Sequence, residues 1–221
     1  MTEVVTRAAA TVIVGRDGPS GIEVLMIRRD QGMKFMGGYW VFPGGALEPS
    51  DAVEGGDDLH AARVAGARET REEVGLQIDP ANLAAWSHWE PPPDVTKRFA
   101  TWFFVTPAPP GNVVIDDVEA RAYAWWQPET VLAARDRSEV ELAPPTWVTL
   151  WELLRYSSME QLLAAAATRE PEYFVTKIAP HDIGPVAMWF GDAGYATNDA
   201  TIEGPRHRLW MDERAWRYER D

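Results

Sequence analysis

The 221-residue chain contains no cysteine. Disulfides, thiolate nucleophiles and zinc–sulfur sites are therefore excluded, and the composition fits a reducing compartment such as the cytoplasm, where we expect the protein to act. The chain also lacks an uncharged apolar run of about 18 residues, and its first residues lack the basic-then-apolar order of a secretory signal. No membrane partner is therefore expected.

Basic residues are scarce. Lysine and arginine number 21 against 34 aspartates and glutamates, which gives a formal net charge of −13. An acidic surface repels nucleic-acid backbones, and no cluster of basic residues interrupts it, so no nucleic-acid partner is expected. A small anionic molecule can still bind where a metal ion and local arginines offset the negative field.

Strands and helices alternate in the first part of the chain. Apolar segments bounded by turn residues predict strands at 8–15, 22–28, 40–42, 83–90, 98–106 and 120–126. Helices are predicted at 58–74 and 129–134, and the segment 49–57 is predicted to be a loop. Asp58 is the expected N-cap of the first helix, and Gly75 is its expected end. This mixture indicates an α/β or α+β unit.

The composition changes at Ala143-Pro144-Pro145. We therefore divide the chain into a core at 1–143 and a C-terminal extension at 144–221, with helices at 146–156 and 159–168 and short strands at 185–190 and 206–211. The extension is expected to pack on the core or against a second subunit, so a homodimer is one candidate assembly.

The most informative feature is a group of three carboxylates, Glu69, Glu72 and Glu73, just before the end of the first helix. Residues three and four apart on a helix are neighbours, so these side chains share one side of it. Like charges this close repel each other, and a chain that keeps them usually places a cation among them. Carboxylate oxygens suit a hard divalent ion, Mg²⁺ or Mn²⁺.

The order of these features resembles the Nudix box. A glycine turn at Gly44-Gly45 is followed by the order Arg-Glu-x-x-Glu-Glu-x-Gly-Leu at 68–76, with Thr70 at a position that is usually aliphatic. Asp51 stands where the family has a glutamate, and the sixteen residues between it and Arg68 are about nine more than the family pattern has. The resemblance implies an α+β fold, a Nudix α/β/α sandwich with a mixed β-sheet, to which the C-terminal helical extension is added.

The resemblance also implies a metal-dependent pyrophosphohydrolase and assigns residues to it. The metal ligands would be three side chains and one backbone carbonyl, namely Glu69, Glu72, Glu73 and Gly45. The catalytic residues would be Glu72, Glu69, Arg68 and Glu119. Arg68 is expected to orient its neighbours, because a guanidinium does not lose its proton in proteins. Glu119 would be a further base or ligand, and Asp116 and Asp117 beside it are alternatives.

Segments outside the box resemble the Nudix branch that contains the peroxisomal coenzyme A diphosphatase, mainly at 25–29, 38–51 and 97–104. That resemblance implies a nucleotide diphosphate as the small-molecule partner. The residues predicted to bind it are Arg28, Arg29, Arg98 and Phe99. Coenzyme A or acyl-CoA is the first substrate candidate, and ADP-ribose and NADH are alternatives. A non-catalytic Nudix-like nucleotide sensor is the alternative from another functional class.

The four histidines do not have metal-ligand spacing, and ordinary surface or structural roles are expected for all of them: His60, His88, His181 and His207. Most tryptophans are expected to pack in the core, and Trp102 is expected to lie in a strand, in the core or on a sheet face.

Overall fold

The computed structural model describes residues 6–33, 35–52, 55–115 and 120–221. The first part of the chain supplies seven strands to one sheet. They are β1 (Thr6–Gly18), β2 (Gly21–Arg29), β3 (Trp40–Val41), β4 (Gly44–Ala46), β5 (Ala84–Glu90), β6 (Arg98–Pro107) and β7 (Ala120–Trp126). An eighth strand, β8 (Glu172–Val175), comes from the C-terminal extension.

The sheet is mixed. Its strand order is β3-β2-β1-β6-β5-β8, while β4 pairs with β1 and β7 pairs with β2. The pairs β1–β6 and β5–β8 are parallel, and the remaining pairs are antiparallel. β3 pairs with β2 and β4 pairs with β1, so the short turn that joins β3 to β4 is held in place by both long strands. The predicted α+β class with a mixed sheet is confirmed.

Helices cover both faces of the sheet. Helix α1 (Asp58–Val74) packs on one face through small residues, and a Cβ on Gly66 would already lie 3.0 Å from Val12 Cγ2. The opposite face packs against α2 (Pro128–Asp136), α3 (Pro144–Leu153) and α4 (Met159–Thr168). The result is an α/β/α sandwich.

Helix α1 begins one residue earlier than the predicted cap implies. The N-cap is Asp57, whose extended backbone lets its side chain accept the His60 N–H at 2.8 Å, so the prediction of Asp58 was wrong. Gly75 ends the helix at φ 72°, as predicted. Within the predicted loop at 49–57, Pro49–Asp51 form a 3₁₀ turn, because Glu48 and Asp51 bond each other's backbone reciprocally.

The C-terminal extension contributes to both layers. Buried side chains of α3 and α4 join the same apolar cluster as the sheet residues, among them Trp147, Leu150 and Leu162. Helix α3 starts at Pro144, earlier than predicted, because proline is well tolerated in a first helical turn. None of the helices in the described ranges is long and apolar enough to cross a membrane. The homodimer stays a prediction.

A second, antiparallel sheet follows β8. Its strands are β9 (Lys177–Ala179), β10 (Val186–Met188), β11 (His207–Met211) and β12 (Trp216–Arg220), in the order β12-β11-β10-β9. The strands predicted at 185–190 and 206–211 correspond to β10 and β11, whereas β8, β9 and β12 were not predicted. A fully buried ion pair between Arg208 and Asp192, with Nη2–Oδ1 at 2.6 Å, ties this sheet to the loop after β10.

Candidate active site

The side chain of Arg68 lies at the centre of the site and joins three elements. Its Nε and Nη2 donate to the two carboxylate oxygens of Asp51, each at 2.9 Å, and Nη2 also donates to the Ala46 carbonyl at 3.1 Å. Nη1 donates to Glu69 Oε1 at 2.9 Å and to Glu72 Oε2 at 3.0 Å. One guanidinium therefore connects β4, the 3₁₀ turn and the acidic side of α1.

Asp51 holds Arg68 in this position. It is only 1% exposed. Burial alone would raise its pKa, but hydrogen bonds from Arg68 and the Glu48 N–H, together with the charge of Arg68, outweigh burial and hold the pKa of Asp51 below its ordinary value. The same hydrogen bonds raise the pKa of Arg68. Asp51 is thus an ionised partner that orients Arg68.

The glycine turn lies directly against the acidic helix. Gly44 has φ 156°, and a Cβ there would lie 2.5 Å from Thr11 Cα. A Cβ on Gly45 would lie 2.5 and 2.6 Å from the two carboxylate oxygens of Glu69. The Gly44 N–H donates to Glu73 Oε2 at 2.8 Å. Only glycines allow the backbone to approach the glutamates this closely.

The three predicted metal-binding side chains have different surroundings. Glu69 and Glu72 both accept from Arg68, and their side chains are 17% and 49% exposed. Glu73 is buried and directs Oε2 to the turn. Within the described ranges, no three aspartate, glutamate or histidine side chains are grouped so as to hold a metal ion. Three other acidic residues considered for the site lie outside the described residues, namely Asp116, Asp117 and Glu119.

The donor chemistry nevertheless fits a hard divalent ion. Glu69 and Glu72 supply carboxylate oxygens beside the Gly45 backbone, and Arg68 already shows that a cation is accommodated between them. Glu73, as described, ties the turn to the helix. The assignment of these residues as metal ligands stays a prediction.

The predicted substrate-binding residues do not form one group. Arg28 lies on β2 opposite Trp40, on the face away from α1, where it lines a cavity of about 450 Å³. Arg29 bonds Tyr39 and Gly38 through its backbone. Arg98, on β6, lies on the same face of the sheet as Phe104, which packs with α1, and the Nε of Arg98 is buried without a hydrogen bond to a described residue.

Phe99 follows Arg98 on β6, so its side chain lies on the opposite face of the sheet. Its ring lies 5.4 Å from that of Phe35 and 5.8 Å from the Arg7 guanidinium. Phe99 thus lies on the face of the sheet away from α1 and its acidic side chains, and its predicted contact with substrate stays a prediction.

A comparison with protein families decides the identity of this site. The family model described as the NUDIX domain matches residues 5–145, which is more than half of the chain. The chain belongs to the NUDIX family. The match includes the glycine turn and the acidic helix and ends at the start of α3. The prediction of a Nudix-type pyrophosphohydrolase is confirmed, and NUDIX hydrolases generally use divalent metal ions.

Several solved structures share the fold. A NUDIX hydrolase from Alicyclobacillus acidocaldarius is 27% identical, with a TM-score of 0.65 over 75% of this chain and 97% of that one. A MutT protein from Methanosarcina mazei Go1 is 20% identical, with a TM-score of 0.53 over 70% and 97% of the two chains. The NUDIX domain of Shewanella oneidensis NrtR, complexed with ADP ribose, is 17% identical, with a TM-score of 0.51 over 72% and 89%.

Replacing Gly45 is expected to impair activity, whereas replacing Gly44 is expected to impair stability. Gly45→Ala places a Cβ against the carboxylate of Glu69, which can swing away, so we expect kcat/KM to fall by about 10- to 100-fold with little loss of stability. Gly44→Ala places a Cβ against the backbone at Thr11, so we expect a large fall in the unfolding midpoint. Steady-state kinetics and urea denaturation of both variants check this, and an unchanged kcat/KM for Gly45→Ala would contradict the described site.

Proposed function

We propose that this NUDIX site hydrolyses the diphosphate linkage of a nucleoside diphosphate conjugate, with Mg²⁺ or Mn²⁺ as cofactor. The observation that carries the proposal is the single guanidinium of Arg68, which holds Glu69 and Glu72 beside the Gly45 turn. Carboxylates fixed in this way offer hard oxygen ligands next to a backbone that a diphosphate can approach closely.

The reaction requires one bond to form and one to break. A water oxygen bonds to one phosphorus, the bridging phosphorus–oxygen bond breaks, and the other phosphate leaves with the bridging oxygen. Two monophosphates result. A divalent ion, when bound, neutralises charge on the diphosphate oxygens and makes water easier to deprotonate. Glu69, Glu72 and the Gly45 carbonyl would hold the ion.

The remaining roles follow from the contacts. Arg68 orients both carboxylates and keeps its proton, because Asp51 and Glu69 raise its pKa. Glu73 fixes the turn through the Gly44 N–H. The proton of the attacking water needs a carboxylate acceptor. Glu69 is the candidate among the described residues, and Glu119 is the alternative.

For the substrate we propose a conjugate that contains an adenosine diphosphate unit. Coenzyme A, ADP-ribose and NADH all contain one, so the candidates from the sequence share this chemistry. The NrtR domain shares the fold and has ADP ribose in its structure, which makes ADP-ribose a natural first compound to test. Nothing in the family match or in these structures singles out coenzyme A.

The test is an assay of the full chain against coenzyme A, ADP-ribose, NADH and a diadenosine polyphosphate, each with Mg²⁺ and with Mn²⁺. We expect metal-dependent release of AMP, or of its 3′-phosphorylated form from coenzyme A, with at least one compound. Cleavage that does not need a divalent ion would contradict the metal assignment. Binding of these compounds without cleavage of any of them would favour the non-catalytic sensor.

A further inference from the structure

A hydroxyl on the far side of the sheet from the acidic helix holds the glycine turn. Side chains alternate along β1, so Val12 projects towards α1, whereas Thr11 projects to the opposite face. Thr11 is only 9% exposed. Its Oγ1 lies 2.8 Å from the Pro43 carbonyl oxygen and 3.1 Å from the Phe42 carbonyl oxygen, so it donates to the backbone just before Gly44.

Pro43 explains why a side-chain donor is needed at this point. Proline has no N–H, so it cannot return a hydrogen bond from the turn to β1. The Val12 N–H donates to the Pro43 carbonyl at 2.8 Å, and the Thr11 hydroxyl donates to the same oxygen. The hydroxyl therefore compensates for the bond that proline cannot make, and it fixes the direction in which the chain enters the turn.

Thr11 and Glu73 hold the turn from opposite faces of the sheet. Thr11 is directly opposite Gly44 in the pairing of β1 with β4, and a Cβ on Gly44 would lie 2.8 Å from Thr11 Cβ. Glycine at this position therefore leaves the space that the threonine side chain fills. From the other face, Glu73 Oε2 accepts the Gly44 N–H at 2.8 Å. The backbone of the turn is thus fixed by a hydroxyl on one face and by a carboxylate on the other.

We propose that Thr11 is a positioning residue for the hydrolysis, whose hydroxyl keeps the glycine turn close enough to Glu69 for the divalent ion to bind between them. The proposal rests on the proposed function for the presence of the ion. Thr11 lies on the other face of the sheet and acts through the turn, without touching the ion or the diphosphate. Outer partners that orient a metal site change its metal affinity or activity by about 10- to 100-fold when they are lost.

The test measures Mn²⁺ binding to the full chain, without substrate, by electron paramagnetic resonance for Thr11→Val, Thr11→Ser and the wild type. Valine keeps the branched shape of threonine but has no hydroxyl, so Thr11→Val is expected to weaken Mn²⁺ binding by about 10- to 100-fold. At a subsaturating Mn²⁺ concentration, kcat/KM is expected to fall with it. Serine keeps the hydroxyl, so Thr11→Ser is expected to bind Mn²⁺ and to turn over substrate as the wild type does.

Thr149→Val is the matched control. Thr149 is a fully buried threonine on α3, and its Oγ1 has no hydrogen bond to a described residue, so the same substitution there is expected to leave Mn²⁺ binding unaltered. Amide hydrogen exchange, followed by NMR without metal, adds a local readout. Thr11→Val is expected to speed exchange of the Gly44 N–H, which donates to Glu73, whereas Thr149→Val is not.

Equal Mn²⁺ affinity of Thr11→Val and the wild type would overturn the positioning role, even if the variant unfolds at a lower urea concentration. An equal loss in Thr11→Ser and Thr11→Val would overturn it as well. Thr11→Ala, which also lacks the hydroxyl and adds no bulk, takes the place of Thr11→Val if that variant does not fold.

Failure of the positioning role and failure of the proposed function are separate results. Mn²⁺ binding that needs the Thr11 hydroxyl, without hydrolysis of any diphosphate, overturns only the proposed function. Metal-dependent hydrolysis and Mn²⁺ binding that both ignore the hydroxyl overturn only the positioning role. An absence of Mn²⁺ binding to the wild type overturns the positioning role together with the metal assignment.

Discussion

Replacing Glu72 by glutamine is expected to lower kcat/KM by about 100- to 1000-fold while the free energy of unfolding stays within about 1 kcal/mol of the wild type. The side chain of Glu72 is 49% exposed, and its contacts are ion pairs with Arg68 at 3.0 Å and Arg71 at 3.4 Å. Exposed pairs add little stability, but the variant removes one negative charge from the proposed ion site. Steady-state kinetics at saturating Mg²⁺ and urea denaturation measure the two quantities.

Glu160→Gln is the matched control for this substitution. Glu160 is an exposed glutamate in the first turn of α4, on the opposite side of the sheet from α1. The same change of charge there is expected to leave kcat/KM unaltered. Full turnover in Glu72→Gln, or an equal loss in both variants, would remove Glu72 from the metal site.

Replacing Arg68 by methionine is expected to lower the free energy of unfolding by about 3 kcal/mol and to abolish most activity. The variant leaves the carboxylate of Asp51 buried without its two hydrogen bonds from Arg68, which are 2.9 Å each in the wild type. An uncompensated buried charge costs far more than the loss of an exposed ion pair. Urea denaturation at neutral pH measures the loss.

The double variant Asp51→Asn with Arg68→Met shows how much of the loss of stability comes from the buried charge of Asp51 and how much from the lost packing of Arg68. It removes the stranded carboxylate, so its free energy of unfolding is expected to recover a large part of the loss, whereas activity is not expected to return. A double variant as unstable as Arg68→Met would contradict the electrostatic account of this pair.

The direction in which the free energy of unfolding changes with pH follows from the lowered pKa of Asp51. In the wild type its pKa is lowered by folding, so its contribution to stability is present above the ordinary carboxyl pKa and is lost as pH falls through the folded value. In Arg68→Met the buried carboxylate loses its cationic partner, keeps only the hydrogen bond from the Glu48 N–H, and binds a proton more readily. The stability difference between the two proteins therefore begins to shrink above the ordinary carboxyl pKa of about 4 and shrinks further as pH falls below it.

The sequence was sufficient for the features that depend on local patterns. The Gly44-Gly45 turn, the helix that ends at Gly75 and the carboxylates before it follow from helix spacing and glycine conformation, and the family was recognisable from them. The role of Asp51 was not predictable, since it requires a 3₁₀ turn that brings a residue seventeen positions away to the guanidinium of Arg68.

Features that depend on distant pairing were missed. β4 is only three residues long and looks like a turn in sequence, because its pairing with β1 and not its composition makes it a strand. β8 was missed for a related reason, since it is four residues long and pairs with a strand about eighty residues earlier. The alignment of His88 and Trp102 with Tyr173 depends on the register of the sheet, which local sequence patterns do not show.

The most direct test of the central claim is a phosphorus-31 NMR spectrum of the reaction with the best substrate of the assay. With Mg²⁺ or Mn²⁺, the wild type is predicted to convert the diphosphate signals into two phosphomonoester signals in equal amounts. Without the ion, and in Glu72→Gln with it, the diphosphate signals are predicted to persist. Equal conversion under all three conditions would contradict a metal-dependent diphosphate hydrolase at Arg68, Glu69 and Glu72.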